Sequence, residues 1–441
     1  MWGRRAVFAA MAAVGATAIL AAGAPALARD HGHPAAVSVA PEAVGFDSAR
    51  LRRLDEAMAK VVADGRVAGM TTLLARHGKV VAFHTYGKAS LATGAPMSRD
   101  AIFRIYSMSK PVTGVAMMIL FEEGKWNLDD PVSKYVPAFK DLKVMRGVGP
   151  DGQPILEPLE RQPTMRELMS HTAGFGYGLS AANPVDKLFG DRMVMRSASL
   201  QEVVDKVAAI PLLAQPGERW SYSIAVDIQG YIVEKLSGQP LGEFMRQRIF
   251  QPLGMTDTGF YAPAGKSDRL ASVYFRDPRS GALVETKALS GHDLPTYKEA
   301  PPVEFGGAGL VSTTRDYARF AQILANGGAL DGVRILSPAT LALMGTNMIP
   351  QAALAPDADG EFNRARGFGL DLAVMTDPGL AGGLEGKGTL SWRGAAGTWF
   401  WADPANDVVF VGMIQRFGAD EEGLDRLSRT LVYQALVDPS R

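Results

Sequence analysis

Strand-forming sequence in this chain is concentrated towards its two ends, and that placement limits the fold more than any other feature. Residues 67–75 and 80–86 are rich in β-branched and aromatic side chains and are joined by Arg76-His77-Gly78-Lys79, the pattern of a hairpin. Far downstream, residues 389–392, 398–402 and 408–415 read as strands, the last two joined at Asp403-Pro404-Ala405-Asn406. A helix precedes the first pair. Asp47 is a good N-cap, Phe46 and Leu51 fit a hydrophobic staple, Leu51, Leu54, Met58, Val61 and Val62 form its apolar stripe, and Gly65 ends it. A closing helix at about 420–437 puts Leu424, Leu427, Leu431 and Leu436 on one face. Helix and hairpin at one end, strands and helix at the other, predict an α/β (α+β) fold in which both chain ends build one antiparallel sheet with flanking helices.

The middle of the chain reads as mainly helical. Thr164-Met165-Arg166-Glu167 and Ser199-Leu200-Gln201-Glu202 are both capping boxes, and further helices fall at about 225–236, 241–249 and 314–326. Loops are expected at about 144–160, 177–195 and 290–305. The chain therefore divides into a sheet domain of residues 41–100 and 311–441, holding an inserted helical domain of residues 101–310. Catalytic residues belong in the seam between them.

Composition narrows the chemistry. Lys+Arg and Asp+Glu are equal at 46 each, so no basic excess exists to neutralise phosphates and nucleic acid is not an expected partner. Cysteine is absent, which removes disulfides, thiolate catalysis, Cys-ligated zinc and iron–sulfur clusters together. The six histidines include no His-Glu-x-x-His spacing, and neither a metal nor a cofactor is expected. At the amino terminus, Arg4-Arg5, an apolar stretch over residues 6–24 and Ala26-Leu27-Ala28 have the form of a cleavable signal peptide, residues 1–28. Pro25 and the abundance of Ala and Gly favour cleavage over a retained anchor, which predicts a periplasmic or secreted protein with a flexible mature start at 29–40 and no stable membrane insertion. The Arg4-Arg5 pair leaves Sec and twin-arginine export both open, and oligomeric state is not legible.

Ser-x-x-Lys occurs once, at Ser107 and Lys110. The tetrapeptide alone is weak, since a capping serine beside a surface lysine would look the same. Its context is stronger. An extended approach over 102–106 leads into residues 112–121, apolar nearly all round and therefore a buried helix, with Ser107 and Lys110 on its first turn. Residues three apart share a helix face, so the lysine can reach the serine hydroxyl. A helix amino terminus and burial both disfavour a positive charge there, and so favour the neutral amine that can take a proton from serine. The same helix end favours the anion that develops during attack.

Two further segments carry polar groups suited to such a site. Tyr222, in Pro216-Gly217-Glu218-Arg219-Trp220-Ser221-Tyr222-Ser223, precedes a helix with Ile228, Tyr231, Ile232 and Leu236 on its apolar face; a tyrosine at such a junction can relay a proton, or simply be a satisfied core residue. Ser391-Trp392-Arg393-Gly394-Ala395-Ala396-Gly397-Thr398 places small residues beside a strand, where another backbone can come close and an N–H can face an oxyanion. A tight strand-to-strand bend would use the same residues. No Gly-x-Ser-x-Gly turn accompanies His171, which ends the helix opened at Thr164 and reads as a structural cap. Glu122, Glu123, Asp129 and Asp130 read as a solvated helix exit.

Taken in this order, the three segments resemble the serine β-lactamase and penicillin-binding-protein superfamily, and within it the family VIII carboxylesterases, which are similar to class C β-lactamases. Phe103-Arg104-Ile105-Tyr106-Ser107-Met108-Ser109-Lys110-Pro111, Leu128-Asp129-Asp130-Pro131-Val132, His171-Thr172-Ala173-Gly174 and Gly306-Gly307-Ala308-Gly309-Leu310 support the likeness, which runs from about residue 42 to the end. The resemblance implies a β-lactamase/transpeptidase-like fold in which Ser107 is acylated, Lys110 activates it and Tyr222 holds the tyrosine position of a Tyr-x-Asn motif. It implies an oxyanion hole made by the N–H groups of Ser107 and Ala395, and substrate-binding positions at Tyr106, Trp392, Arg393 and Gly394, where Trp392-Arg393-Gly394 replaces Lys-Thr-Gly. Ile224 stands where the asparagine would be, and Trp392 cannot supply the cation that holds a substrate carboxylate. These departures turn the expectation towards small carboxylic esters. The alternatives are a β-lactamase or D-amino-acid peptidase and a non-catalytic penicillin-recognising module. The usual Trp-Gly-Gly of the esterase branch makes Arg393 unusual, and it either restores a charge near the cleft or faces solvent.

Overall fold

A computed structural model describes residues 38–180, 182–289, 292–353, 362, 365–419 and 423–439. The leader read at residues 1–28, and all but the last three positions of the mature start at 29–40, lie outside the described residues. The centre of the fold is a seven-stranded antiparallel sheet. Its strands are β1 (Gly69–Arg76), β2 (Lys79–Gly87), β3 (Arg366–Phe368), β4 (Ala373–Met375), β5 (Leu390–Arg393), β6 (Trp399–Asp403) and β7 (Val408–Met413), in the order β3-β4-β5-β6-β7-β1-β2. The two chain ends meet where β1 pairs with β7, Thr71 opposite Met413 through to Arg76 opposite Val408. The sheet from both ends is therefore as expected. Strands β3 and β4 are not legible in the sequence, because three-residue strands are too short to show a period of two.

Six helices frame the sheet and the active site: α1 (Ser48–Ala63), α2 (Ser109–Glu122), α3 (Met165–Met169), α4 (Ala225–Ser237), α5 (Thr314–Ala325) and α6 (Leu424–Tyr433). Side chains alternate across the sheet, and both of its faces are covered. Met70, Leu74, Trp399, Trp401, Val408 and Phe410 point to one face and pack with Leu51, Leu54 and Met58 of α1 and Leu424 and Val432 of α6. Leu73, Phe400, Val409, Val411 and Met413 point to the other and share a core with Tyr317 and Phe320 of α5 and the apolar surface of α2 and α4. Each of these fully buried side chains contributes roughly 1.5–3 kcal/mol relative to exposure, so the sheet is clamped from both sides.

Local signals at the helix ends behave as the residues predict, with one correction. Asp47 accepts from the Arg50 N–H at 2.7 Å, and Thr164 forms a full reciprocal capping box with Glu167. Ser199 accepts from Glu202, but the Glu202 carboxylate turns back one residue further, to the Ala198 N–H at 2.7 Å, so this box is not reciprocal. The stretch expected as a loop at about 144–160 holds a hairpin, Lys143–Val148 with Pro154–Pro158. One buried cation ties the termini together. The Arg76 guanidinium, 1% exposed, donates to the carbonyls of Val44, Asn406, Asp438 and Pro439 at 2.8, 2.9, 3.2 and 2.9 Å. From residue 38 onward the described residues form one compact unit, and the catalytic candidates lie where its helical layer meets β5, an interior strand of the sheet.

Candidate active site

The nucleophile candidate is presented by a bend between strand and helix. Phe103–Arg104 pairs with Val311–Ser312, and the Ile105 N–H donates to the Leu310 carbonyl at 3.1 Å. Tyr106 then takes φ = 42°, a left-handed conformation that costs a non-glycine residue roughly 1–3 kcal/mol and persists only where the surroundings enforce it. A 3-10 turn, Tyr106–Met108, comes next, and α2 starts at Ser109. Ser107 thus sits on the turn before the α-helix and Lys110 at the helix's second residue, rather than both on one α-helical turn. Every residue of α2 from Ser109 to Leu120 is buried, as its apolar sequence requires, and the turn is held from outside by the Tyr317 hydroxyl, which donates to the Met108 carbonyl at 2.8 Å.

Two polar side chains meet at Ser107 Oγ. The Tyr222 hydroxyl donates to Ser107 Oγ at 2.7 Å, and Lys110 Nζ lies 3.5 Å from the same oxygen. Lys110 is 0% exposed, with its Nζ 4.5 Å from the centroid of the Tyr222 ring and 5.0 Å from that of Tyr177. Its remaining neighbours are the Gly307 carbonyl at 2.8 Å and the Tyr177 hydroxyl at 3.4 Å. The amine is therefore anchored by a main-chain oxygen on one side and reaches the serine on the other.

That anchor is itself braced. The Gly307 N–H donates to Asp227 Oδ1 at 2.8 Å, so the buried Asp227 of α4 orients the peptide whose carbonyl faces Lys110. A Cβ at Gly307 would come within 2.8 Å of Asp227 Oδ2 and 3.1 Å of the Tyr177 hydroxyl, which explains glycine there on space alone. Burial pushes the Asp227 carboxyl up to about 6, with the charge of Lys110 and the Gly307 N–H partly offsetting it. Asp371 is a second buried acid in this region, with its Oδ1 accepting from Gln229 Nε2 at 2.9 Å; burial raises it well above the usual carboxylate range.

The strand segment comes in from the opposite side. Gly394 is packed so tightly that a Cβ would lie 2.3 Å from both the Ile105 carbonyl oxygen and Thr398 Oγ1, which puts this backbone directly on the bend that carries Ser107. The Gly394 N–H donates to the Thr398 carbonyl at 2.7 Å and the Gly397 N–H to the Gly394 carbonyl at 2.8 Å, closing the turn around Ala395. Among the described residues, the main-chain N–H groups of Ser107 and Ala395 have no hydrogen-bond partner, the condition an oxyanion-binding pair must meet.

Trp392 and Arg393 part company here. In register, Trp392 lies opposite Phe400, on the face of the helical layer, whereas Arg393 lies opposite Trp399, on the face of α1 and α6. Arg393 is exposed beside Trp399, Leu424 and Arg426, on the far side of the sheet from Ser107. Its assignment as a substrate-binding residue is corrected: adjacent strand residues cannot face the same cleft. Tyr106 is beside the nucleophile, its ring 5.5 Å from that of Phe417 and its buried hydroxyl without a hydrogen-bond partner among the described residues.

Trp392 belongs to a wall of rings around Tyr222. Tyr222 and Trp392 are 5.9 Å apart between centroids, Trp220 stacks on Tyr222 at 6.1 Å, and Phe368 meets Trp392 edge-on at 5.2 Å and Trp220 at 5.7 Å. His171 completes it at 5.2 Å from Tyr222. Sequence reasoning missed Tyr177, Asp227, Gly307, Trp220 and Phe368 as site residues. Gly307 stands out in the sequence only as part of a family phrase, since a main-chain carbonyl leaves no residue-type signal. Asp227 is hidden in an otherwise apolar helix face, where a lone acid among buried neighbours is the one available clue.

The description "Beta-lactamase" is that of the family whose pattern matches residues 54–434. An uncharacterized protein of Mycobacterium tuberculosis is 36% identical, over 80% of this chain and 86% of its own length. Esterase EstB of Burkholderia gladioli is 33% identical, over 83% of this chain and 91% of its own. Among solved structures, EstCE1, described as a hydrolase with promiscuous acyltransferase activity, superposes with a TM-score of 0.73 at 30% identity, covering 87% of this chain and 99% of that one.

Proposed function

The chain belongs to the Beta-lactamase family, and from that premise we propose that it is a serine carboxylesterase, cleaving small carboxylic esters through an acyl-enzyme on Ser107. One observation carries the reading: Ser107 Oγ is contacted at once by Tyr222 at 2.7 Å and Lys110 at 3.5 Å, so a base and a proton relay both bear on one hydroxyl. In acylation the Ser107 proton passes to Lys110 as Oγ bonds to the ester carbonyl carbon. The oxyanion forms between the N–H groups of Ser107 and Ala395. When the bond to the alcohol breaks, Tyr222 gives its proton to the leaving oxygen and recovers one from Lys110. Water then attacks the acyl-enzyme, its proton returns through the same pair to Ser107 Oγ, and the carboxylic acid leaves.

The likeness to an esterase at 33% identity supports this reading, and the residues around the serine support it further. The position at which a β-lactam or peptide carboxylate would need a lysine is taken by Trp392, in a wall of rings that favours neutral, apolar acyl or alcohol groups. Ile224 replaces the asparagine of Tyr-x-Asn and is fully buried. The amino-terminal leader pattern supports a site of action outside the cytoplasm.

A side-by-side panel of p-nitrophenyl acetate and butyrate, nitrocefin and a D-alanyl-D-alanine peptide tests the proposal. The short esters should turn over at least about 100-fold more efficiently than the other two, and Ser107→Ala should abolish that turnover. Efficient nitrocefin hydrolysis would put a β-lactamase ahead, and a stable adduct without product release would point to a recognition module.

A further inference from the structure

His171 lies outside hydrogen-bonding contact with Ser107, yet the structure binds it to the loop of Tyr222 in three ways. It is 1% exposed and comes after α3 with φ = 58°, so that its carbonyl and its ring turn towards the same neighbouring segment. Its carbonyl accepts from the Ser221 N–H at 2.9 Å, the residue before Tyr222. Its Nδ1 is 2.8 Å from Ser223 Oγ, the residue after it. Its ring packs 5.2 Å from the ring of Tyr222 itself. Tyr222 is in a loop, not a helix, and its neighbours hang on the same stretch: the Gly217 N–H donates to Thr172 at 2.8 Å and the Ile224 N–H to Gly176 at 3.0 Å.

We propose that His171 is the positioning residue of Tyr222, clamping Ser221 and Ser223 so that the phenol between them stays within hydrogen-bond reach of Ser107 Oγ. This rests on Ser107 being the nucleophile and Tyr222 its proton relay. A base role for His171 does not fit the geometry, because Nδ1 is engaged by Ser223 and Nε2, surrounded by the rings of Trp220, Tyr222 and Phe368, meets no hydrogen-bond partner among the described residues. The groups facing the imidazole are those rings, Ser223 and the charge of Lys110. Burial first, then Lys110, lower its affinity for a proton, so it holds the loop as a neutral ring.

Three variants test it, with p-nitrophenyl butyrate turnover normalised to Ser107 sites titrated by a fluorophosphonate. His171→Phe keeps a ring but loses the bond to Ser223, and should lower kcat about 10- to 100-fold with KM within about threefold, since a displacement near 1 Å at a catalytic group has effects of that size. His171→Asn should restore most of that loss, because asparagine tolerates a left-handed φ and its amide reaches the Nδ1 position. Ser223→Ala, a smaller change that keeps the fold if His171→Phe does not, should lower kcat per titrated site by about three- to tenfold. The proposal is overturned if kcat per titrated site stays within twofold of the parent in Ser223→Ala and in whichever His171 variant folds, with the loss appearing only as fewer titratable sites. Activity surviving in Ser107→Ala would instead sink the assignment of the nucleophile, whatever the His171 variants do.

Discussion

Lys110→Met lowers kcat on short p-nitrophenyl esters by about 10²- to 10⁴-fold, the span that a positioned general base supplies. Among the described residues, Lys110 Nζ is the one amine near Ser107 Oγ, at 3.5 Å, and the only other side-chain atom bonded to that oxygen is the Tyr222 hydroxyl, which donates to it. Methionine matches the length and apolar body of the lysine at a site that is 0% exposed, so it fills the same space beside the Tyr177 and Tyr222 rings. What it leaves behind is the Gly307 carbonyl without its 2.8 Å partner, worth roughly 1–3 kcal/mol, and a buried amine that no longer has to be desolvated. These changes oppose each other, so Tm should shift by no more than about 5 °C for a domain of this size. Steady-state kinetics beside thermal unfolding separates the two effects. A variant within tenfold of the parent would mean that Lys110 is not the base.

Gly394→Ala is expected to cost about 10²- to 10³-fold in kcat, the scale of a lost oxyanion donor, with a much smaller change in KM. The new Cβ would be built 2.3 Å from the Ile105 carbonyl oxygen, a backbone atom of a fully buried residue and not the end of a flexible side chain. Something must move, and the segment that carries the new methyl is the turn from Gly394 to Gly397, which also carries the Ala395 N–H. Moving it away from the Ser107 bend separates the two N–H groups that have to hold one oxygen between them. Burst kinetics with p-nitrophenyl acetate should show slowed acylation while Ser107 remains present and folded. Unchanged acylation would remove Ala395 from the oxyanion hole.

Much of this is legible in the residues, and the exceptions have physical causes. The sheet shared by both chain ends can be read from where β-branched and aromatic runs stand, because a long strand buried on one or both faces advertises itself. Strands β3 and β4 cannot, having three residues each. Ser107, Lys110 and Tyr222 are brought together because each is tied to a strong local signal: an apolar helix behind the first two, a loop-to-helix junction at the third. Arg393 is misplaced when three adjacent residues are read as one unit, since the two-residue period of a strand sends it to the opposite face from Trp392. Asp227, Gly307 and Tyr177 escape notice because what they contribute, a peptide plane aimed at Lys110 and a hydroxyl 3.4 Å from it, depends on segments brought together only by the fold. The sequence sets His171 apart from acid–base chemistry, but its hold on Ser221 and Ser223 is a property of the tertiary contact and not of the helix before it.

The central claim is a covalent intermediate on Ser107, and a slowly deacylating ester tests it most directly. The protein is mixed with p-nitrophenyl pivalate, quenched in acid while p-nitrophenol is still being released, and weighed intact before peptide mapping. One pivaloyl group per chain, located on Ser107 and absent from Ser107→Ala, is the predicted result. Release of p-nitrophenol with no added mass, or with the acyl group on any other residue, would contradict it.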